Sequence, residues 1–214
     1  MRSFDPAALS AAMQQAGVRL ILASGSPRRR QLMAGLDLPF HIEQAGEVEE
    51  ILPPGMLPDE APAYLARLKS LAFRPPAAGE IVITADTVVI CEGQLLGKPA
   101  DRAAARRMLQ LLSGRRHEVL TGVYLRSAIA HRSFTAQTTV VFRRLSPSEI
   151  AFYLDRYQPY DKAGAYGAQE WLGFVGIERI EGSYFNVMGL PLQPLYACLS
   201  DWLSQPARSS LPDR

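Results

Sequence analysis

The sequence predicts an α/β protein built on a mixed central sheet with flanking helices. Three observations predict it. Runs rich in β-branched residues alternate along the chain with helix-forming stretches that carry their own cap signals. Some strand-like runs, such as 119–125 and 135–142, follow each other too closely for a helical crossover, so the sheet cannot be purely parallel. Finally, 48% of the 214 residues are hydrophobic, enough for one large domain or two tightly joined lobes.

Asp5-Pro6 reads as an N-cap with proline at the first helical position, opening a helix to about Gln15. Leu20 to Ala23 is a short apolar run before a turn, hence a buried strand. Ser26-Pro27 repeats the cap-plus-proline signal, and Leu32, Met33 and Leu36 give the following helix its apolar face. Residues 41–60 are expected to be irregular, because Pro53, Pro54 and Pro58 interrupt them. Asp59 to Phe73 reads as a helix with Leu65, Leu68 and Ala72 on one face, and 75–79 as a turn that could divide two lobes. Ile81 to Ile90 is a central strand. Asp101 caps a helix over 102–112, which Gly114 stops. Strands follow at 119–125 and 135–142. Ser146 with Glu149 forms a capping box opening a helix to about Arg156. Glycine-rich sequence fills 164–189, and Pro191 to Leu203 is a closing amphipathic helix.

The net charge of +2 gives no global electrostatic case for nucleic acid. Cys91 and Cys198 follow no metal-ligand spacing and read as reduced thiols of a cytoplasmic protein. No signal peptide and no bilayer-spanning run is expected.

Three groups of residues carry the chemistry. The first is a helix start with the wrong charge. Helix N-termini favour acidic residues, yet the helix after Ser26 opens with Arg28, Arg29 and Arg30. An anion bound at the free amides and arginines would resolve the conflict, and Ser24-Gly25-Ser26 would let a phosphate approach the backbone closely. The competing reading has the arginines in solvent or paired with acids elsewhere. The second group centres on Asp86, a carboxylate inside an apolar strand, which must face a cleft, hold a metal or meet a cation. Thr87 points to the opposite side. Glu47, Glu49 and Glu50 could bring oxygen ligands to a hard cation, or simply face solvent. Lys69, at the edge of an apolar helix face, and Lys98, in a turn before a helix, would complete a cationic set suited to a triphosphate, or be ordinary surface lysines. The third group is Asp161 to Gln169, dense in small residues and ending in an amide that can both donate and accept, as base recognition requires. On its own it could equally be a structural turn. His117 reads as structural, because it lies on the way into a strand.

Taken in order, LILASGSPRRRQLM at 20–33, ITADTVV at 83–89, LLGKP at 95–99, MLQLLSGRRHEVLTGV at 108–123, DKAGAYGAQ at 161–169 and GSYFNVMGLP at 182–191 resemble the Maf family of nucleotide pyrophosphatases. The resemblance covers about residues 20–200. It implies a single domain over 1–214, with 1–18 as an N-terminal extension and two lobes around a cleft, similar to inosine triphosphate pyrophosphatases. It implies hydrolysis between the α- and β-phosphates of a nucleoside triphosphate with a divalent metal, Mg²⁺ or Mn²⁺, in a homodimer, and a house-cleaning or cell-division-arrest role. By motif, Asp86 resembles the catalytic base and a metal ligand together with Glu50, Glu49 or Glu47. Ser24, Arg28, Arg29, Lys69 and Lys98 resemble phosphate binders. Arg28, Thr87 and Gln169 resemble the branch acting on dTTP and UTP. A nucleotide-binding regulator of septum formation without turnover is the alternative. Two positions depart from the family pattern. Glu170 stands where glycine is usual and puts a charge beside Gln169, and Ser70 stands where alanine is usual.

Overall fold

The computed structural model describes residues 6–44, 46 and 48–204. The helices are α1 (Pro6–Gln15), α2 (Pro27–Ala34), α3 (Ala61–Ala72), α4 (Arg102–Leu112), α5 (Pro147–Tyr157), α6 (Trp171–Gly176), α7 (Tyr184–Val187) and α8 (Leu192–Ser204). The strands are β1 (Arg19–Ala23), β2 (Phe40–Glu43), β3 (Glu80–Cys91), β4 (Gln94–Leu96), β5 (Arg116–Arg126), β6 (His131–Phe142) and β7 (Ile177–Glu181). They form one sheet in the order β2-β1-β3-β5-β6-β7, with β4 added to β3. β1 runs parallel to β2 and β3, and the other pairings are antiparallel, so the sheet is mixed.

β3 organises the molecule. One of its edges pairs with β5 from Val82 to Ile90. The other pairs with β1 only as far as Ile83 and with β4 only from Val89. Among the described residues, 84–88 therefore have no strand neighbour on that side, and Asp86 is the middle residue of the gap. The two faces of β3 differ in their cover. Thr84 donates to the Ala66 carbonyl at 2.7 Å, which sets α3 on the face shared by Thr84, Asp86 and Val88. The opposite face feeds the two main apolar cores. Ile81, Ile83 and Ala85 pack with β1, α1, α2 and α8, while Val89 and Cys91 pack with α4, α5 and Tyr166. Thr87 falls between them. Leu9 and Met13 bring α1 into the first core beside Leu195 and Leu199, so this segment is part of the packing.

Several expectations need correction. Residues 40–43, placed at the edge of an irregular stretch, pair with β1 as β2. The glycine-rich region contains α6, α7 and the edge strand β7, whose five residues are mostly exposed and give no apolar pattern. β4, three residues long, was too short to leave a period. β5 and β6 begin three to four residues earlier than their apolar runs, at positions where polar residues still pair. The 75–79 turn leads from α3 straight into β3, against whose face α3 packs. There Arg19 and Arg74 converge on Glu80, which is 1% exposed.

Candidate active site

A cavity of about 630 Å³ opens at the β3 gap. Strand ends flank it on both sides. β1 stops at Ala23 and delivers Ser24 and the start of α2, while β4 stops at Leu96 and delivers Lys98. Ligands of open α/β sheets commonly bind where neighbouring chain segments diverge in this way. The bare strand edge lets one ligand reach Asp86 on the α3 face and Thr87 on the other.

Asp86 is 5% exposed, and the Lys69 ammonium bonds to its Oδ1. Lys69 also lies 2.8 Å from Glu50 Oε1, and Lys98 lies 3.6 Å from the same oxygen. Burial raises the Glu50 carboxyl, but the hydrogen bonds and charges of the two lysines outweigh it and hold its pKa below the ordinary value. Lys69 reaches Asp86 because α3 sits close to the sheet. Gly122, paired with Asp86 across β5, makes this possible: a Cβ there would run into the backbone of Pro62 and Ala63.

The start of α2 forms the second wall. Ser26 makes no side-chain cap, and Ser24 Oγ instead accepts from the Ser26 amide at 3.2 Å. Arg29 donates to the Gly189 carbonyl at 2.8 Å and to Thr87 Oγ1 at 3.0 Å. Thr87 is in turn bonded to Thr121, which donates to the Asn186 carbonyl. Arg29 makes no ion pair among the described residues. Burial lowers its pKa, the Asp86 charge opposes this and the Arg28 charge adds to it. Arginine nevertheless stays protonated in proteins, so this half-buried side chain brings a partly desolvated positive charge to the cavity. Arg28 pairs with Asp161 at 2.9 Å, so part of the competing reading holds for this residue. Arg30 turns away and contacts the Ser24 carbonyl.

The 161–170 loop closes the third side. Gln169 lines the cavity, and its Oε1 is buried without a hydrogen-bond partner among the described residues. Glu170, next to it, does not line the cavity. It bonds the Tyr153 hydroxyl and sits 3.0 Å from Lys162 Nζ. His117 is buried against Tyr166, 2.8 Å from its hydroxyl, and burial pushes its pKa down to about 4, so it is a neutral packing group.

Ser24, Arg28, Arg29, Glu50, Lys69, Asp86, Thr87, Lys98 and Gln169 thus line one cavity. Glu49 is exposed and outside it, and Glu47 lies outside the described residues. The sequence reading missed Gly122, Thr121, Asn186, Lys162 and Tyr153. Of these only Gly122 left a signal, as a glycine inside a strand. No group of three or more His, Cys, Asp or Glu side chains that could hold a metal occurs among the described residues. Two hard carboxylates remain, Asp86 and Glu50, with the Lys69 ammonium between them. Such a pair fits a divalent cation whose other ligands are water and phosphate oxygens.

A family model described as Maf-like protein matches residues 19–202. The dTTP/UTP pyrophosphatase of Porphyromonas gingivalis is 48% identical over 86% of this chain and 94% of its own. That of Bacteroides fragilis is 49% identical over 83% of this chain and 93% of its own. Among solved structures, the Ham1 protein of Staphylococcus aureus covers 86% of this chain and 99% of its own, with a TM-score of 0.49 and 16% identity. The match extends from β1 into α8 and takes in every residue placed around the cavity, and the chain belongs to the Maf family.

Proposed function

We propose that this chain is a nucleoside triphosphate pyrophosphatase that cleaves dTTP and UTP to the monophosphate and pyrophosphate. The observation that carries this is the half-buried Arg29, without an ion pair among the described residues, in the same cavity as the Lys69–Asp86–Glu50 cluster. A partly desolvated cation beside an uncapped helix start suits a phosphate, and a strand carboxylate next to it suits a base. The names of the relatives agree with this reading.

In this mechanism the triphosphate lies along the 24–29 turn. Arg29, Lys69, Lys98 and the first-turn amides of α2 hold its oxygens, and Gln169 meets the base. The Gln169 acceptor matches the N3–H that uracil and thymine share. Asp86 takes a proton from a water in the β3 gap as that water's oxygen attacks the α-phosphorus. The bond from the α-phosphorus to the bridging oxygen breaks, and pyrophosphate leaves with the electron pair. Lys69 orients Asp86 and Glu50. These two carboxylates would hold a divalent cation, Mg²⁺ or Mn²⁺, which when bound offsets charge developing on the phosphate oxygens. Positioning and charge stabilisation account for most phosphoryl-transfer catalysis, so no protein nucleophile is required.

A cytoplasmic homodimer is part of the reading. The free thiols of Cys91 and Cys198 suit a reducing compartment, and exposed Phe152, Phe174 and Val175 on α5 and α6 suit a subunit contact. No helix among the described residues is long and apolar enough to cross a membrane.

The test is incubation with a panel of nucleoside triphosphates and a divalent cation, with identification of products. UMP plus pyrophosphate from UTP is expected, and likewise dTMP plus pyrophosphate from dTTP. Binding of UTP without pyrophosphate release would assign the chain to the regulator class instead.

A further inference from the structure

Lys162 is a buried lysine in the cavity wall, 8% exposed. Burying an ammonium is costly unless it is fully paired. Its Nζ lies 2.7 Å from Asp161 Oδ1 and 3.0 Å from Glu170 Oε1. Each carboxylate then reaches a second partner. Asp161 Oδ2 accepts from Arg28 at 2.9 Å, and Glu170 Oε2 accepts from the Tyr153 hydroxyl. That hydroxyl in turn accepts from the Gly167 amide at 3.0 Å. An unbroken chain therefore runs from the first turn of α2 to the backbone beside Gln169, with Lys162 at its centre.

The charges along this chain alternate and cancel: Arg28 and Lys162 against Asp161 and Glu170. Among the other charged groups lining the cavity, Arg29, Lys69 and Lys98 outnumber Asp86 and Glu50, which leaves an excess of positive charge. The phosphates belong beside Arg29, Lys69 and Lys98, and the uncharged base beside Gln169, with the relay running between them. Lys162 has no spare charge for a phosphate, because both its neighbours draw on it. Its ammonium and the Arg28 guanidinium also outweigh burial at Asp161 and hold that carboxyl below its ordinary pKa.

We propose that Lys162 is the hub of a positioning relay that ties Arg28 to the Gln169 loop and so sets which base the cavity accepts. This rests on the nucleotide-hydrolysing reading above. The relay also gives the unusual Glu170 a role. Its carboxylate is spent on Lys162 and Tyr153, so it steadies the loop and does not repel a ligand.

The test compares Lys162→Met, Lys162→Arg and Glu170→Gln with the unaltered protein on UTP, dTTP, CTP and GTP. For Lys162→Met, KM for UTP and dTTP should rise about tenfold and the kcat/KM preference over CTP and GTP should shrink by a similar factor. The kcat for UTP should change by less than about threefold, because the Asp86 cluster is not part of the relay. Lys162→Arg should restore most of the preference. A merely structural lysine would lower kcat for all four nucleotides alike, and that result overturns the proposal. So does an unchanged KM and preference in folded Lys162→Met. Should that variant fail to fold, Glu170→Gln keeps the side-chain size and removes one charge, and an unchanged preference there overturns the proposal equally. Failure of the unaltered protein to release pyrophosphate from any of the four would instead sink the functional reading on which the relay rests.

Discussion

Asp86 and Arg29 show how far single residues betray a site. A carboxylate within an apolar strand and three arginines at a helix start each break a local rule, and proteins keep such violations mainly where a ligand repairs them. Both groups were legible for that reason, and they do converge on one cavity. The glutamate was not legible as one residue, because a loop has no period to say which of its acids turns inward. Lys162 was invisible: in sequence a buried lysine looks like any other. Asp86→Asn keeps the size of the side chain and removes the proton acceptor. Turnover of UTP should fall by about 10² to 10⁴-fold, in line with loss of a general base. Circular dichroism and the thermal midpoint should stay close to those of the unaltered protein. Near-normal activity in this variant removes Asp86 from the role.

At the scale of elements, strong local signals were read well. α4 and α5 begin at their predicted caps, and the Ser146–Glu149 capping box forms. Edge elements such as β2, β4 and β7 escaped because tertiary pairing, not pattern, makes them strands. Two contacts fix α3 and β3 in register with the site, and each can be probed. Glu80 is held to about 2 by hydrogen bonds from Arg74 and from the Ala77 amide, which outweigh its burial. Its folded pKa lies below its ordinary 4.5, so its contribution to stability is complete above that pH and is lost as pH falls toward about 2. In denaturant titrations Glu80→Gln should be less stable than the unaltered protein at neutral pH, with the difference shrinking as the medium is acidified through this window. A difference independent of pH would count against the ion pair. Gly122→Ala tests the close approach of α3. Overpacking should cost about 1–3 kcal/mol in the same titrations. The displaced Lys69 should also lower turnover, measured under conditions where the variant is folded.

For the molecule as a whole, the predicted α/β class with a mixed sheet holds, while the layout of the two apolar cores was not readable in advance. In sequence β3 reads as one strand with a single carboxylate set in it, and nothing there says that it changes company at Asp86. Yet this single strand supplies side chains to both main cores and carries the site between them. The two cores are accordingly joined through one continuous hydrogen-bonded strand. Heating should melt both halves together, giving a single calorimetric peak whose van't Hoff and measured enthalpies agree. Two resolved peaks would contradict this. The floor of the cleft is a continuous β-ribbon, hydrogen-bonded to β5 from Val82 to Ile90. An incoming ligand therefore lands on a keel common to both cores, among the side chains and loops that rim it.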